Sequence, residues 1–168
     1  MVYLKIAACD VTAEQFNQMV LVENNAGGDP CSIDELQGTI NYIGNDNFVC
    51  IHKGTIIAFA TINKNSRRLG GSIYIVNLSV HKKFQRMGIA QNIIKTACEE
   101  YIKEFKDKYI TLHVSKDNIK AVNLYKKLGF EIRTDFIEDE NDFAMATPLS
   151  NLKQRYADNV FSKNNEQV

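Results

Sequence analysis

The chain has no tryptophan, only two prolines among 168 residues, and no excess of either charge, with twenty basic and twenty acidic side chains. Balanced charge removes the electrostatic argument for a nucleic-acid or acidic-membrane partner, because phosphate binding rests on a basic excess. No run approaches the ~20 consecutive apolar residues needed to span a bilayer. The start, Met1-Val-Tyr-Leu-Lys5, lacks the basic flank and apolar run of a secretory leader. Cysteine is sparse and scattered: Cys9, Cys31, Cys50 and Cys98 form no Cys-x-x-Cys pair, and three of them sit among apolar neighbours. That pattern is expected of small buried thiols rather than a zinc site or a disulfide frame. Reduced thiols and no leader give the expectation of a cytoplasmic protein. What remains is ordinary for one globular domain, with 45% hydrophobic residues.

The elements alternate along the chain. Val2 to Ala8 reads as a first strand. Thr12 to Gln15 and Ser32 to Glu35 read as two capping boxes. The first opens a helix to about Val22, followed by a breaker-rich loop from Asn24 to Pro30. The second precedes Leu36, Ile40 and Ile43 at helical spacing. Asn47 to His52 and Thr55 to Asn63 form a hairpin through Lys53-Gly54. Ile73 to Val80, rich in β-branched and aromatic residues, is a further strand. Ala90 to Phe105 has helical spacing at Ile93, Ile94, Ala97, Cys98, Ile102 and Phe105. Tyr109 to Val114 is a strand, a helix follows from Asn118, and Gly129 to Ile137 and Phe143 to Thr147 close the pattern as two strands. The expected order is β-α-α-β-β-β-α-β-α-β-β in a single domain, residues 1 to 149. Ser150 to Val168 stands apart as a tail. Leu152, Tyr156 and Val160 make a narrow stripe on a short helix there, docked on its own domain or used in a dimer, and a polar end follows.

Two segments carry chemistry. Gln85-Arg86-Met87-Gly88-Ile89-Ala90 lies between a strand and a helix. A glycine loop that opens a helix aims several backbone N–H groups at one point, which suits a phosphate. Arg86 adds a full charge. The second segment is Asn118 to Phe130, with Asn118, Ala121, Tyr125 and then Leu128-Gly129-Phe130.

Together these segments resemble the GCN5-related N-acetyltransferase family. Its pyrophosphate loop reads Gln/Arg-x-x-Gly-x-Gly/Ala, met here by Gln85, Gly88 and Ala90. Its Asn-x-x-Ala-x-x-x-Tyr is met by Asn118, Ala121 and Tyr125. The strong resemblance covers Ile73 to about Ile132 and is nearest to the N-terminal branch, which includes ribosomal-protein and eukaryotic N-alpha acetyltransferases. It implies an α/β (α+β) acyltransferase fold, a mixed central sheet flanked by helices. It also implies acetyl-CoA as co-substrate and direct transfer to an amine in a ternary complex, with no metal. The implied cofactor contacts are Leu78, Val80, Gln85, Arg86, Met87, Gly88, Ile89, Ala90, Asn118 and Tyr125. Leu78 would polarise the thioester carbonyl with its backbone N–H, Val80 would touch pantetheine, and Tyr125 would serve the departing thiolate as general acid. A phenol, with pKa ~10, is protonated at neutral pH.

The base is a departure from the family pattern. Many members place an acid where this chain has Asn77, which cannot accept a proton at neutral pH. An imidazole titrates near neutrality; ribosomal-protein members of the N-terminal branch carry a glutamate at the place of His113, but one eukaryotic member carries a histidine there, paired with a tyrosine at the place of Tyr74. The resemblance therefore implies His113 as base, directly or through water, helped by Tyr74. His52 and His81 are weaker candidates, and Glu138 to Asp142 are next. The segment Asp135 to Asp142 holds five acids in eight positions and reads either as a solvated turn or as a rim that attracts a cationic amine. It lacks the tyrosine pair of peptide-acetylating relatives. The acceptor therefore stays open between a small-molecule amine and a peptide N-terminus, and the assembly between monomer and homodimer. A non-catalytic acyl-CoA sensor of the same fold is the alternative function.

Overall fold

The computed structural model describes residues 1–27, 31–66, 72–105, 108–135 and 140–152. The elements run β1 Val2–Ala7, α1 Ala13–Ala26, α2 Ile33–Ile40, β2 Asn45–His52, β3 Thr55–Asn63, β4 Ile73–Val80, α3 Ile89–Tyr101, β5 Tyr109–Ser115, α4 Ile119–Leu128, β6 Glu131–Ile132 and β7 Asp142–Pro148. This is the expected order. The strands form one mixed sheet, β1-β2-β3-β4-β5-β7-β6. Among its pairings only β4 with β5 is parallel. Parallel neighbours need a crossover, and α3 supplies it as the middle of a β4-α3-β5 unit.

Both expected capping boxes form. Thr12 Oγ1 accepts from the Gln15 N–H at 3.2 Å and Gln15 Oε1 accepts from the Thr12 N–H at 2.9 Å; Ser32 and Glu35 do the same for α2. Helix α1 overruns its expected end at Val22 and reaches Ala26. Asn25 does not break it, because its side-chain amide donates back to the Leu21 carbonyl at 2.8 Å. Gly27, with φ +84°, ends the helix instead. Helix α2 stops sooner than its spacing suggested: Ile43 lies beyond it and is 94% exposed. Strand β6 is likewise shorter than Gly129 to Ile137, and residues 136–139 lie outside the described residues, as do Tyr156 and Val160.

Two apolar layers fix the helices to the sheet. On one face Met19 and Val22 of α1 and Leu36 and Ile40 of α2 pack on Val49, Ile56 and Phe59. On the other, Ile93, Ile94 and Ala97 of α3 and Val122 and Leu128 of α4 pack on Ile62, Ile73, Ile75, Ile110 and Leu112. Each such side chain contributes roughly 1.5–3 kcal/mol on burial. Leu149 and Leu152 join this second layer. The far end of α3 is anchored by Tyr101, whose hydroxyl donates to Asp46 Oδ2 at 3.0 Å. Cys50 and Cys98 are buried as expected, Cys31 is half-buried and Cys9 is exposed. Among the described residues no helix is long and apolar enough to cross a membrane.

Candidate active site

The site begins where two strands part. β4 and β5 pair only through Ile73–Ile110, Tyr74–Thr111 and Ile75–Leu112, although β4 runs on to Val80 and β5 to Ser115. The β3–β4 register slips between Thr61–Asn77 and Ile62–Ile75, which leaves Val76 as an extra residue, a bulge. Beyond it the His81 N–H donates to the Ile57 carbonyl at 3.0 Å. Antiparallel alternation then assigns the backbone groups of Asn77, Ser79 and His81 to β3 and turns those of Leu78 and Val80 the other way, into the gap. A divergence of neighbouring strands at their carboxyl ends is where open α/β sheets bind ligands.

At the mouth of this gap the chain makes a short 3₁₀ turn, Lys82–Phe84, then enters α3. His81 caps that turn, its Nδ1 accepting from the Lys83 N–H at 3.2 Å, so its place is that of a cap. His52 packs edge-on against Phe84. Arg86 and Gly88 both adopt left-handed backbone, φ +64° and +75°. Gly88 is the N-cap of α3 and brings no side-chain cap. The first N–H groups of α3 therefore have no partner within the helix. A Cβ built at Gly88 meets nothing within 4 Å, so the approach to these donors is open. Lys82, Lys83 and Arg86 are exposed around them. The arrangement suits a phosphate group.

Helix α4 packs against β5 in the same apolar layer. Asn118 caps it, its Oδ1 accepting from the Ala121 N–H at 3.1 Å. One face further along, Tyr125 is 7% exposed, edge-on to Phe130 at 5.5 Å between ring centres. Burial, then the nearby Tyr74, push its phenol well above the ordinary tyrosine value. It is a permanent donor across the working pH range.

On the α1/α2 face the Tyr74 hydroxyl and His113 Nδ1 lie 3.1 Å apart, across the last registered rungs of β4 and β5. The expected pair is thus brought together. A carboxylate that sequence reasoning missed is also there. Glu23, in the last turns of α1, receives the Asn77 amide on Oε2 at 3.2 Å, and the Ser79 hydroxyl donates to the same oxygen. Asn77, set aside as a non-base, therefore holds a base candidate from another element. Glu23 lines a pocket of about 310 Å³ with Cys31, Leu36, Thr39, Val76 and Asn77. The Cys31 thiol faces Glu23 Oε1 at 3.9 Å; burial and then this carboxylate push the thiol upward, keeping it protonated. Of the acidic segment, Asp135 pairs with Arg133 at 2.7 Å, and the part at 136–139 lies outside the described residues.

Comparison with known proteins agrees with this geometry. The model of the acetyltransferase (GNAT) family matches residues 15–130. The chain is 28% identical over 118 residues to N-alpha-acetyltransferase daf-31 of Caenorhabditis elegans, covering 66% of this chain and 62% of that protein. More generally the chain spans about half the length of the curated relatives it matches. The ribosomal-protein-S18-alanine N-acetyltransferase from Escherichia coli superposes with a TM-score of 0.69 at 20% identity, over 88% of this chain and 94% of the other. The PaiA N-acetyltransferase from Thermoplasma acidophilum, solved with coenzyme A, gives 0.68 at 15% identity, over 88% and 99%. At these identities the superpositions speak for the fold alone. With its motifs, its parted strands and a family match over more than half its length, the chain belongs to the acetyltransferase (GNAT) family.

Proposed function

We propose that the chain moves the acetyl group of acetyl-CoA directly to an amine, in one ternary complex. The observation that carries this reading is the gap between β4 and β5. It has the backbone N–H groups of Leu78 and Val80 on its edge, the helix-opening N–H groups of Gly88 to Ala90 at its mouth, and the buried phenol of Tyr125 beside it. Pyrophosphate would take the donors from Gly88 onward, with Arg86 beside them and Met87 and Ile89 shaping the loop. The pantetheine arm would extend along β4, pairing with its edge as an added strand would. The Leu78 N–H is fixed where the thioester oxygen gains charge, and a preorganised donor there lowers the barrier. Tyr125 donates to the sulfur as it leaves.

The amine enters from the α1/α2 face. An ammonium has no lone pair, so a base must take its proton. Glu23 is our first choice. Its carboxylate attracts a cation, and two β4 side chains hold it beside the bulge. The Tyr74–His113 pair is the second acceptor, favoured by its 3.1 Å contact. A peptide α-amine is the preferred acceptor class. It gives up a proton about 2.5 pKa units more readily than a lysine-like amine, and the curated relative named above is an N-alpha-acetyltransferase. The presence of Glu23 removes the argument for a non-catalytic sensor, which rested on the missing acid at Asn77. Acetyl-CoA with short peptides, each with a free or a blocked N-terminus, tests the proposal. Thiol release only with the free amine supports it, and equal release with the blocked peptides contradicts it.

A further inference from the structure

The side chain of Gln85 has a primary amide with two N–H donors and one acceptor oxygen. Both kinds of contact made by its nitrogen go to backbone carbonyls: Val80 at 3.0 Å, and Ala26 in the last turn of α1. The Gln85 backbone N–H is also engaged, donating to the Lys82 carbonyl at 3.4 Å. No donor of Gln85 is left for a phosphate. What its side chain could still offer an anion is an oxygen, which repels it. The contact to Ala26 has its own physical reason, because the last carbonyls of a helix have no partner within it. Ala26 lies three residues after Glu23, in the turn that sets where that carboxylate stands.

We propose that Gln85 is a positioning residue, a strut that ties the phosphate loop and the end of β4 to the helix turn carrying Glu23. This rests on the acetyl-transfer reading above. It gives Gln85 a role on the acceptor side of the reaction instead of a grip on the cofactor. Loop and base then move as one body, so that a cofactor held at the loop also steadies the base.

Gln85→Met keeps length and neutrality and removes both donors. At saturating acetyl-CoA, kcat/KM for the amine should fall about tenfold, as expected for loss of hydrogen bonds worth together ~1.4 kcal/mol. Affinity for acetyl-CoA should stay within about threefold of the wild type. Gln85→Arg, whose guanidinium can reach both carbonyls, should restore the amine kcat/KM to within about threefold. Hydrogen exchange reads the strut without turnover: acetyl-CoA should slow the amides of residues 22–27 in the wild type and not in Gln85→Met. The opposite split, acetyl-CoA affinity weakened tenfold or more with amine turnover unchanged, overturns the strut and makes Gln85 a cofactor contact. Equal exchange responses in both proteins also overturn it. Failure of the wider reading looks different: the wild type itself binds no acetyl-CoA, or binds it and acetylates no amine, and in the second case the exchange experiment still decides the strut.

Discussion

Replacing Glu23 with glutamine keeps the size of the side chain and one oxygen for the Ser79 hydroxyl, but removes the charge and the proton acceptor. Two losses are expected. A positioned general base contributes about 100-fold at the low end of the usual range. The half-buried carboxylate also attracts the incoming ammonium; an ion pair of that exposure is worth about 1 kcal/mol, or about fivefold in KM. Together kcat/KM for the amine at pH 7 should fall roughly 500-fold. The deficit should shrink as pH rises, because more of the acceptor is then already deprotonated. Acetyl-CoA affinity and the melting temperature should change little, since the cradle at Gly88 lies on another element. The assay is thiol release against acceptor concentration at saturating acetyl-CoA, across pH 6 to 9. The same measurement on His113→Ala should show a loss of less than about tenfold. A Glu23→Gln protein within threefold of the wild type would refute the reasoning. If His113→Ala then carried the large loss, the base would be the Tyr74–His113 pair.

Tyr125→Phe should lower turnover about 100-fold with acetyl-CoA affinity nearly intact, measured by single-turnover thiol release and calorimetry; wild-type turnover would mean the sulfur leaves unaided. Gly88→Glu should abolish acetyl-CoA binding in a folded protein, because the side chain enters open space in front of the helix donors with a charge of the wrong sign; unchanged affinity in a titration would place the phosphate elsewhere. Burial pushes the Cys98 thiol up to about 12, against an unfolded value of about 8.5. A raised folded-state pKa means that its contribution is complete below about pH 8.5 and is lost as pH climbs toward 12, by about 1.4 kcal/mol per unit. Cys98→Ala should therefore flatten the fall of the melting temperature between pH 8.5 and 11, and an unchanged slope would count against that burial effect.

The order of elements was legible because it rests on local patterns: caps at Thr12 and Ser32, β-branched runs in β2 to β4, and the glycine that opens α3. The phosphate loop and Tyr125 were legible because their motifs are contiguous. Glu23 was not, for two reasons. Asn24 and Asn25 read as helix breakers, yet Asn25 bonds back to Leu21 and keeps α1 going for another turn. The partners of Glu23, Asn77 and Ser79, are more than fifty residues away, brought under it only by packing α1 on β4. A polar residue late in an amphipathic helix was the available signal, and it is a weak one. The bulge at Val76 depends on register with β3, which no single strand records. Ile43 kept the helical spacing of α2, but spacing cannot say where a helix stops.

The central claim is amine-dependent acetyl transfer, and the most direct test is the wild-type protein with acetyl-CoA and a panel of free-N-terminus peptides, their blocked counterparts, polyamines, aminoglycosides and amino acids. Free thiol and the mass of the acceptor are read together. The account predicts CoA release that requires an amine, matched mole for mole by one acetyl group on that amine, with free peptide N-termini the best acceptors. Tight binding of acetyl-CoA with no release for any amine in the panel would contradict it, and would make the chain a binding module of the same fold.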